Sequence, residues 1–306
     1  MILLCGIPSE SPIAMLREAL ANLAVSTLVF NQRNFANTHF EFSLRHEGIS
    51  GSLAIDGNSY DLTEITGIYM RMIEEQALPE FRRLAPNGAL QQQCRNLHDA
   101  LLRWFEITPA RVVNRCRPMS SNSSKPYQAQ LISQLGFSIP ETLITNDPAL
   151  VREFYAQHGR VIYKSISGVR SIVQELNDRD LMRLEQIRWC PTQFQVFVAG
   201  TNVRVHVVGQ EVFATRIETD TTDYRYASSQ GGETELTAIN LSDDLSERCI
   251  DLAEALELPF AGIDLKIAPD GEVFCFEVNP SPGYTYYQSH TGQPIALALA
   301  RYLSRQ

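Results

Sequence analysis

Two carboxylates near the C-terminal end of the chain, Asp264 and Glu277, are spaced so that one hairpin would set them side by side. Residues 261–267 and 272–279 each alternate as strands do, and Pro269-Asp270-Gly271-Glu272 lies between them. Asp-Gly is among the strongest two-residue hairpin signals. With Asp270 and Gly271 as the loop, position 269 pairs with 272, and counting outward sets 264 opposite 277. Directly opposed residues share a face, with Cβ atoms about 5 Å apart. Two carboxylates at that distance repel by about 3 kcal/mol at an effective dielectric near 20. Asn279 shares the face of Glu277 and adds a neutral oxygen. An all-oxygen set of one or two carboxylates suits Mg²⁺, which completes its shell with phosphate and water. A solvated acidic face with a loose counterion is the competing reading.

Cationic residues elsewhere could meet such a metal. Lys164 ends an expected strand and precedes Ser165-Ile166-Ser167-Gly168, a small-residue loop whose backbone N–H groups could cradle phosphates. The loop lacks the G-x-x-x-x-G-K-[ST] pattern, so it is no Walker A site, and a plain surface turn competes. In Asn202-Val203-Arg204-Val205-His206 the three polar residues share one face of a strand. Arg204 offers a planar fork of donors suited to a transferring phosphoryl group, against a simple salt bridge. His206 reads as structural. Asp223-Tyr224-Arg225, with Gly231-Gly232, supplies a second arginine beside a glycine loop. Arg71 closes an expected strand at 67–70 and reads as a structural ion pair, with a substrate-facing role as the alternative.

The elements that must position these residues follow from periodicity. Ile2 to Leu4 is a short buried strand, Ser11-Pro12 an N-cap and first helical position, and Thr27 to Phe30 the next strand. Strands are expected around 51–55 and 67–70, with a turn at Asp56-Gly57-Asn58. Leu90, Cys94, Leu97, Leu101 and Trp104 mark a long amphipathic helix. Tyr127, Leu131 and Leu135 mark the inward face of another, stopped by Gly136. Strands at 139–145, 160–164, 193–198 and 203–208 follow, with a helix at 148–157. The last third adds a helix through Leu245, Cys249, Leu252 and Leu256, the opening hairpin, and a C-terminal helix from Gly292 to Leu303. A boundary at the polar crossing Asn114-Arg115-Cys116-Arg117-Pro118 gives an N-terminal α/β domain at 1–113. Two α+β units follow, at 114–190 and 191–306.

The 306 residues are enough for two or three packed units. A net charge of −9 argues against a nucleic-acid surface, which would need basic patches to release counterions. It leaves room for the few local cations of a phosphate site. The six cysteines form no C-x-x-C pair and read as small core residues in a reducing cytoplasm. No signal peptide is evident, and no run approaches the roughly 18 apolar residues of a membrane span.

Taken together, these motifs resemble the ATP-grasp superfamily of carboxylate ligases. They are most similar to the RimK-type glutamate ligases and the graspetide (microviridin-type) peptide macrocyclases. The resemblance covers roughly residues 110–306. Its most specific piece is Gly262-Ile263-Asp264-Leu265 with Phe276-Glu277-Val278-Asn279-Pro280-Ser281-Pro282-Gly283. It implies Asp264, Glu277 and Asn279 as Mg²⁺ ligands, and Lys125 and Lys164 as the two ATP-binding lysines. It further implies Gln195-Val196-Phe197-Val198 as the adenine hinge, Arg204 at the γ-phosphate and acyl phosphate, and Arg225 as the arginine of an Asp-aromatic-Arg motif. Three positions depart from the pattern. The hinge reads Gln195-Val196 in place of Gln-Glu, Asn202 stands where an Asp is usual, and Ala227 replaces the Asn of Arg-x-Asn.

The implied fold is an N-terminal α/β domain followed by two subdomains that sandwich ATP. The implied cofactors are ATP and Mg²⁺, with Mn²⁺ as an alternative. The implied reaction phosphorylates a carboxylate, and an amine or hydroxyl then attacks the acyl phosphate. A peptide or protein carboxylate is the expected substrate and a small-molecule amino acid the alternative. A non-catalytic ATP-binding regulator is the reading from another class. No nucleic-acid or membrane partner is expected, and a homodimer is left open.

Overall fold

The computed structural model describes residues 1–46, 48–166, 173–219 and 234–305. Strand β1 (Ile2–Gly6) is buried along its whole length, as a strand covered on both faces must be. It feeds α1 (Ser11–Asn22), whose first turn holds Pro12. Glu10, not Ser11, takes the N-cap position, and it makes no side-chain cap bond. After β2 (Thr27–Asn31), the strands β3 (Thr38–Arg45), β4 (Gly48–Ile55) and β5 (Asn58–Asp61) form a three-stranded antiparallel sheet. Ile55 pairs with Asn58, so Asp56 and Gly57 are the two-residue turn, both at positive φ. Strand β6 (Gly67–Met70), the short α2 (Pro79–Arg82), the long α3 (Ala89–Ile107) and β7 (Arg111–Val113) complete this part. The parallel sheet runs β2-β1-β6-β7. Helix α3 buries Cys94, Leu97, Leu101 and Trp104 as expected, whereas Leu90 in its first turn is exposed.

The short α4 (Cys116–Met119) leads to α5 (Lys125–Gln134). The expected inward face of α5 is off by one position: Tyr127 and Leu135 are exposed, and the buried residues are Gln128 and Ile132. Polar Gln128 is inside because its amide donates to the Val278 carbonyl at 2.8 Å and accepts from the Val278 N–H at 3.0 Å. Next come β8 (Thr142–Thr145), α6 (Pro148–His158), β9 (Val161–Ser165), β10 (Gln174–Glu175), α7 (Asp178–Met182) and β11 (Thr192–Val196). The strands form an antiparallel sheet ordered β10-β9-β11-β8. Strand β8 starts at Thr142, later than the expected 139, because Pro140 has no N–H to give a ladder.

The remaining elements are β12 (Thr201–Val208), β13 (Glu211–Thr219), β14 (Thr234–Ile239), α8 (Asp243–Ala255), β15 (Phe260–Ile267), β16 (Val273–Asn279), α9 (Thr285–Thr291) and α10 (Ile295–Ser304). The five strands form an antiparallel sheet ordered β14-β13-β12-β15-β16. The C-terminal helix expected over Gly292 to Leu303 is present as α10 and starts at Ile295; the unexpected α9 precedes it and ends at Gly292, whose left-handed φ caps that helix.

Alternation on β12 divides the chemistry from the packing. Val203, Val205 and Val207 join Leu245, Cys249 and Leu252 of α8 and Ile132 of α5 in one core. Arg204 and His206 face the other way. A second core unites the two ends of the chain: Ile2, Leu4, Ile13 and Leu16 pack with Phe260, Tyr284, Leu299 and Leu303. Asn114 fastens the same seam. Buried at 2 % exposure, it donates to the Phe260 carbonyl at 2.6 Å and the Pro280 carbonyl at 2.5 Å, and accepts from the Phe260 N–H at 3.1 Å.

Candidate active site

The β15–β16 hairpin sets Asp264 opposite Glu277, as the count from the sequence predicts, but by a different route. The loop is not the two residues Asp270-Gly271. Ala268 N–H bonds the Glu272 carbonyl at 2.9 Å and Gly271 N–H bonds the Ala268 carbonyl at 2.9 Å, which closes a three-residue loop with Gly271 at φ +91°. That loop alone would leave 264 opposite 276. A β-bulge between Asp264 and Leu265 restores the pairing, because Leu265 faces Cys275 and Phe276 is the extra residue. The bulge also breaks strict alternation on β16. Cys275 points into the core at 1 % exposure, while Phe276 and Glu277 both line the pocket.

Arg204 lies directly opposite Asp264 on the neighbouring strand and donates to its carboxylate at 2.7 Å. The guanidinium, 6 % exposed, crosses over Gly262. A Cβ at Gly262 would stand 2.0 Å from Arg204 Nη2 and 2.6 Å from Pro282 Cβ, so only glycine leaves the arginine its place. Lys125, at the start of α5, pairs with Glu277 and lies 3.3 Å from Asn122 Oδ1. The Asn279 side-chain oxygen accepts from the Ser281 N–H at 2.9 Å and shapes the loop after β16. The two acids therefore share a face with two cations already set against them. All-oxygen donors on one wall beside Arg204 and Lys125 fit a divalent metal carrying phosphate. His206, beyond Arg204, is fully buried against Phe260 and Tyr287 and has no hydrogen bond at either nitrogen among the described residues. Burial first, and the Arg204 charge second, hold its pKa well below the ordinary value, so it is neutral and packs rather than reacts.

A pocket joins this wall to the four-stranded sheet. Lys164, Gln195, Phe197, Val198 and Asn202 line it together with Asp264 and Glu277. Apolar Ile162, Val173, Ile217, Leu265 and Phe276 give it flat sides suited to a base. Two of the expected hinge donors are already taken: Val196 N–H bonds the Glu141 carbonyl at 3.0 Å and Phe197 N–H the Arg160 carbonyl at 2.9 Å. Val198 N–H has no partner among the described residues. Gln195 is buried and its amide nitrogen donates to the Thr142 hydroxyl at 2.9 Å. Its oxygen has no partner among the described residues, an orphaned acceptor at the wall where a nucleotide base would need one. Ser165 ends β9 and is exposed. Ser167, Gly168, Arg225 and the Gly231-Gly232 pair lie outside the described residues.

Lys266 is a pocket residue that motif reading misses. It pairs with Asn202 across the strands, lines the pocket, and stands 5.4 Å from the Phe197 ring centre. Burial, with the Arg160 charge second, lowers its pKa. The signal was available in the alternation of Asp264 and Lys266 on one strand face. The cysteines behind the hairpin take no part: burial pushes the Cys249 thiol up to about 12 and raises Cys275 well above the usual range.

An antiparallel sheet carrying paired acids, a second sheet carrying Lys164 and the buried Gln195, and a pocket between them match an ATP-grasp enzyme. The RimK-like ATP-grasp domain matches residues 123–303, and the chain belongs to that family. It is an ATP-grasp ligase, and enzymes of this class use ATP and Mg²⁺. A protein of Shewanella loihica described as a probable alpha-L-glutamate ligase is 24% identical over 218 residues, covering 68% of this chain and 71% of its own. Its Xylella fastidiosa counterpart is 26% identical over 215 residues, covering 67% and 70%. Among solved structures, the ATP-grasp ligase PsnB complexed with a minimal precursor has a TM-score of 0.81 at 28% identity, covering 99% of this chain and 97% of that one. A RiPP-associated ATP-grasp ligase of Chryseobacterium gregarium, in complex with ADP and a leader and core peptide, has a TM-score of 0.83 at 20% identity, covering 99% and 96%. At that identity the likeness speaks for the fold. No helix among the described residues is long and apolar enough to cross a membrane.

Proposed function

We propose that this ligase modifies a peptide or protein: it activates a carboxylate as an acyl phosphate and passes the acyl group to an amine or hydroxyl. The observation that carries the reading is the facing of Asp264 and Glu277 beside Arg204 and Lys125, on the wall of the pocket that Lys164 and Gln195 also line. In this reading Asp264, Glu277 and Asn279 would hold Mg²⁺. Once bound, Mg²⁺ supplies neutralisation of the phosphate charge. Lys164 and Lys125 bind phosphate oxygens of ATP, and Gln195 with Val198 takes the base. Arg204, fixed by its carboxylate partner, stays poised where charge grows as the γ-phosphoryl group passes to the substrate carboxylate oxygen. The products of this first step are ADP and the acyl phosphate. Attack by the acceptor nitrogen or oxygen then forms the new bond to the acyl carbon and releases phosphate, while the acceptor's proton leaves to solvent. No side-chain nucleophile is needed, in keeping with the protonated cysteines behind the hairpin.

A peptide substrate is favoured by the likeness to PsnB over nearly the whole chain, N-terminal domain included, in a protein complexed with a precursor peptide. The alpha-L-glutamate ligases match only about two thirds of the chain. They favour a second reading, in which one joined partner is a free amino acid. The test is ADP release from Mg·ATP with a peptide carrying Glu and Lys side chains, with products weighed for loss of one water. The wild type is expected to release ADP in a carboxylate-dependent manner, and the Asp264→Asn/Glu277→Gln double variant to lose at least a thousandfold. ATP binding without any such release across peptides and amino acids would make the chain a nucleotide-binding regulator.

A further inference from the structure

The parallel sheet of the N-terminal domain is ordered β2-β1-β6-β7, so the chain leaves β1 toward one edge and returns on its other side at β6. Between β1 and β6 lies a topological switch point, and in open parallel sheets ligands bind in the crevice at the carboxyl ends of such strands. Tyr69 and Arg71 lie two apart at that end of β6, on one face, and the N-terminus of the twelve-residue α1 follows β1 there. The opposite wall is the loop after the metal ligands. Arg71 Nη1 donates to the Ser281 hydroxyl at 3.1 Å and lies 3.5 Å from the Pro282 carbonyl. Pro282 in turn touches the place where Arg204 crosses Gly262.

Two donors in this crevice lack acceptors. Tyr69 is 2 % exposed, and its hydroxyl, beside the Arg71 side chain, meets no acceptor among the described residues. Arg71 Nε is buried and makes no hydrogen bond among the described residues; it forms an ion pair with the Glu10 carboxylate at 3.7 Å, beyond hydrogen-bond reach. Burial pushes the Tyr69 hydroxyl up to about 12, so it remains a donor at neutral pH. Leaving buried donors unmade is costly, and both lie beside a helix N-terminus that favours negative charge. Glu10 is half-exposed and makes no cap bond, so it can leave the crevice to a better-placed anion.

We propose that this crevice is a subsite for a carboxylate of the ligase substrate, gripped by Arg71 and Tyr69, with Glu10 occupying its mouth until substrate arrives. The proposal rests on the ligase reading but is tested apart from it. The probe is N-acetyl-L-glutamic acid α-amide, a peptide-like side-chain carboxylate, with its glutamine counterpart as the neutral control, followed by saturation-transfer NMR on the full chain. The wild type is expected to give transfer to the carboxylate probe and not to the control. The signal falls at least fivefold in Arg71→Gln and in Tyr69→Phe, and rises in Glu10→Gln. Tyr69→Phe removes a single oxygen, so it remains informative if Arg71→Gln does not fold. Equal binding of both probes, no transfer in the wild type, or unchanged transfer in a folded Tyr69→Phe protein would each overturn the subsite. Binding that follows the expected pattern without ADP release would instead remove the ligase reading and leave the subsite standing.

Discussion

The two walls of the pocket rest on unequal foundations. The metal-side wall, β12 with β15 and β16, lies on a large core shared with α8 and α5, and its far end is welded to the N-terminal sheet through Phe260, Tyr284 and Asn114. Among the described residues, the nucleotide-side wall, β9 with β11, rests on a buried apolar cluster of Val151, Val161, Leu176, Leu184 and Phe194. Rigid acids and arginine must hold a transition state, whereas a clamp must admit and release a nucleotide. Regions with few buried contacts open at lower free-energy cost. On the proposed function, the contrast would suit one sheet to position-keeping and the other to gating.

The strongest test of that contrast is Phe194→Ala. Deleting this ring, 1 % exposed, should cost about 3–5 kcal/mol. Amide exchange should then accelerate in β9 and β11 while β12 and β15 keep their protection, and equal loss in both sheets would erase the distinction. Next is Gly262→Ala, which adds a methyl where Arg204 lies. Carboxylate-dependent ADP release should fall roughly a hundredfold, with exchange in β9 and β11 unchanged. An active Gly262→Ala protein would mean that the arginine need not be held so tightly. The smallest effect concerns His206 behind that arginine. Its folded pKa lies below the unfolded value near 6.5. As pH falls below about 6.5 the unfolded chain binds the proton first, and stability drops by about 1.4 kcal/mol per pH unit until the folded pKa is reached. Denaturant titrations between pH 7 and 5 should show this slope in the wild type and a shallower one in His206→Leu.

Much of the metal-side wall was legible because strand alternation and a hairpin signal fix which side chains face each other. The facing of Asp264, Glu277 and Arg204 was read that way, and the pairing survived a misread loop only because the bulge at Phe276 offsets the third loop residue in the count. What escaped depends on polar groups satisfied at a distance. Gln128 breaks the apolar pattern of α5 because its partner is the backbone of Val278, 150 residues on. Asn114 reads as part of a polar crossing between units and is a buried clamp to Phe260 and Pro280 for the same reason. Lys266 escaped because motif reading stops at the acid two residues before it. Arg71 was read as a structural ion pair and does pair with Glu10, but its contact with the Ser281 loop shows only in the assembled seam.

The bulge on β16 has a consequence for how the two ligands of this pocket could be pulled apart. By holding two consecutive side chains to one side, it puts the ring of Phe276 on the pocket wall from the same stretch as Glu277, the acid proposed for the ion. A one-residue deletion at 276 would leave Asp264 still abreast of Glu277 and Leu265 of Cys275, yet strip the purine slot of that ring. Affinity for nucleotide and affinity for divalent ion, joined in one strand, would become separately adjustable.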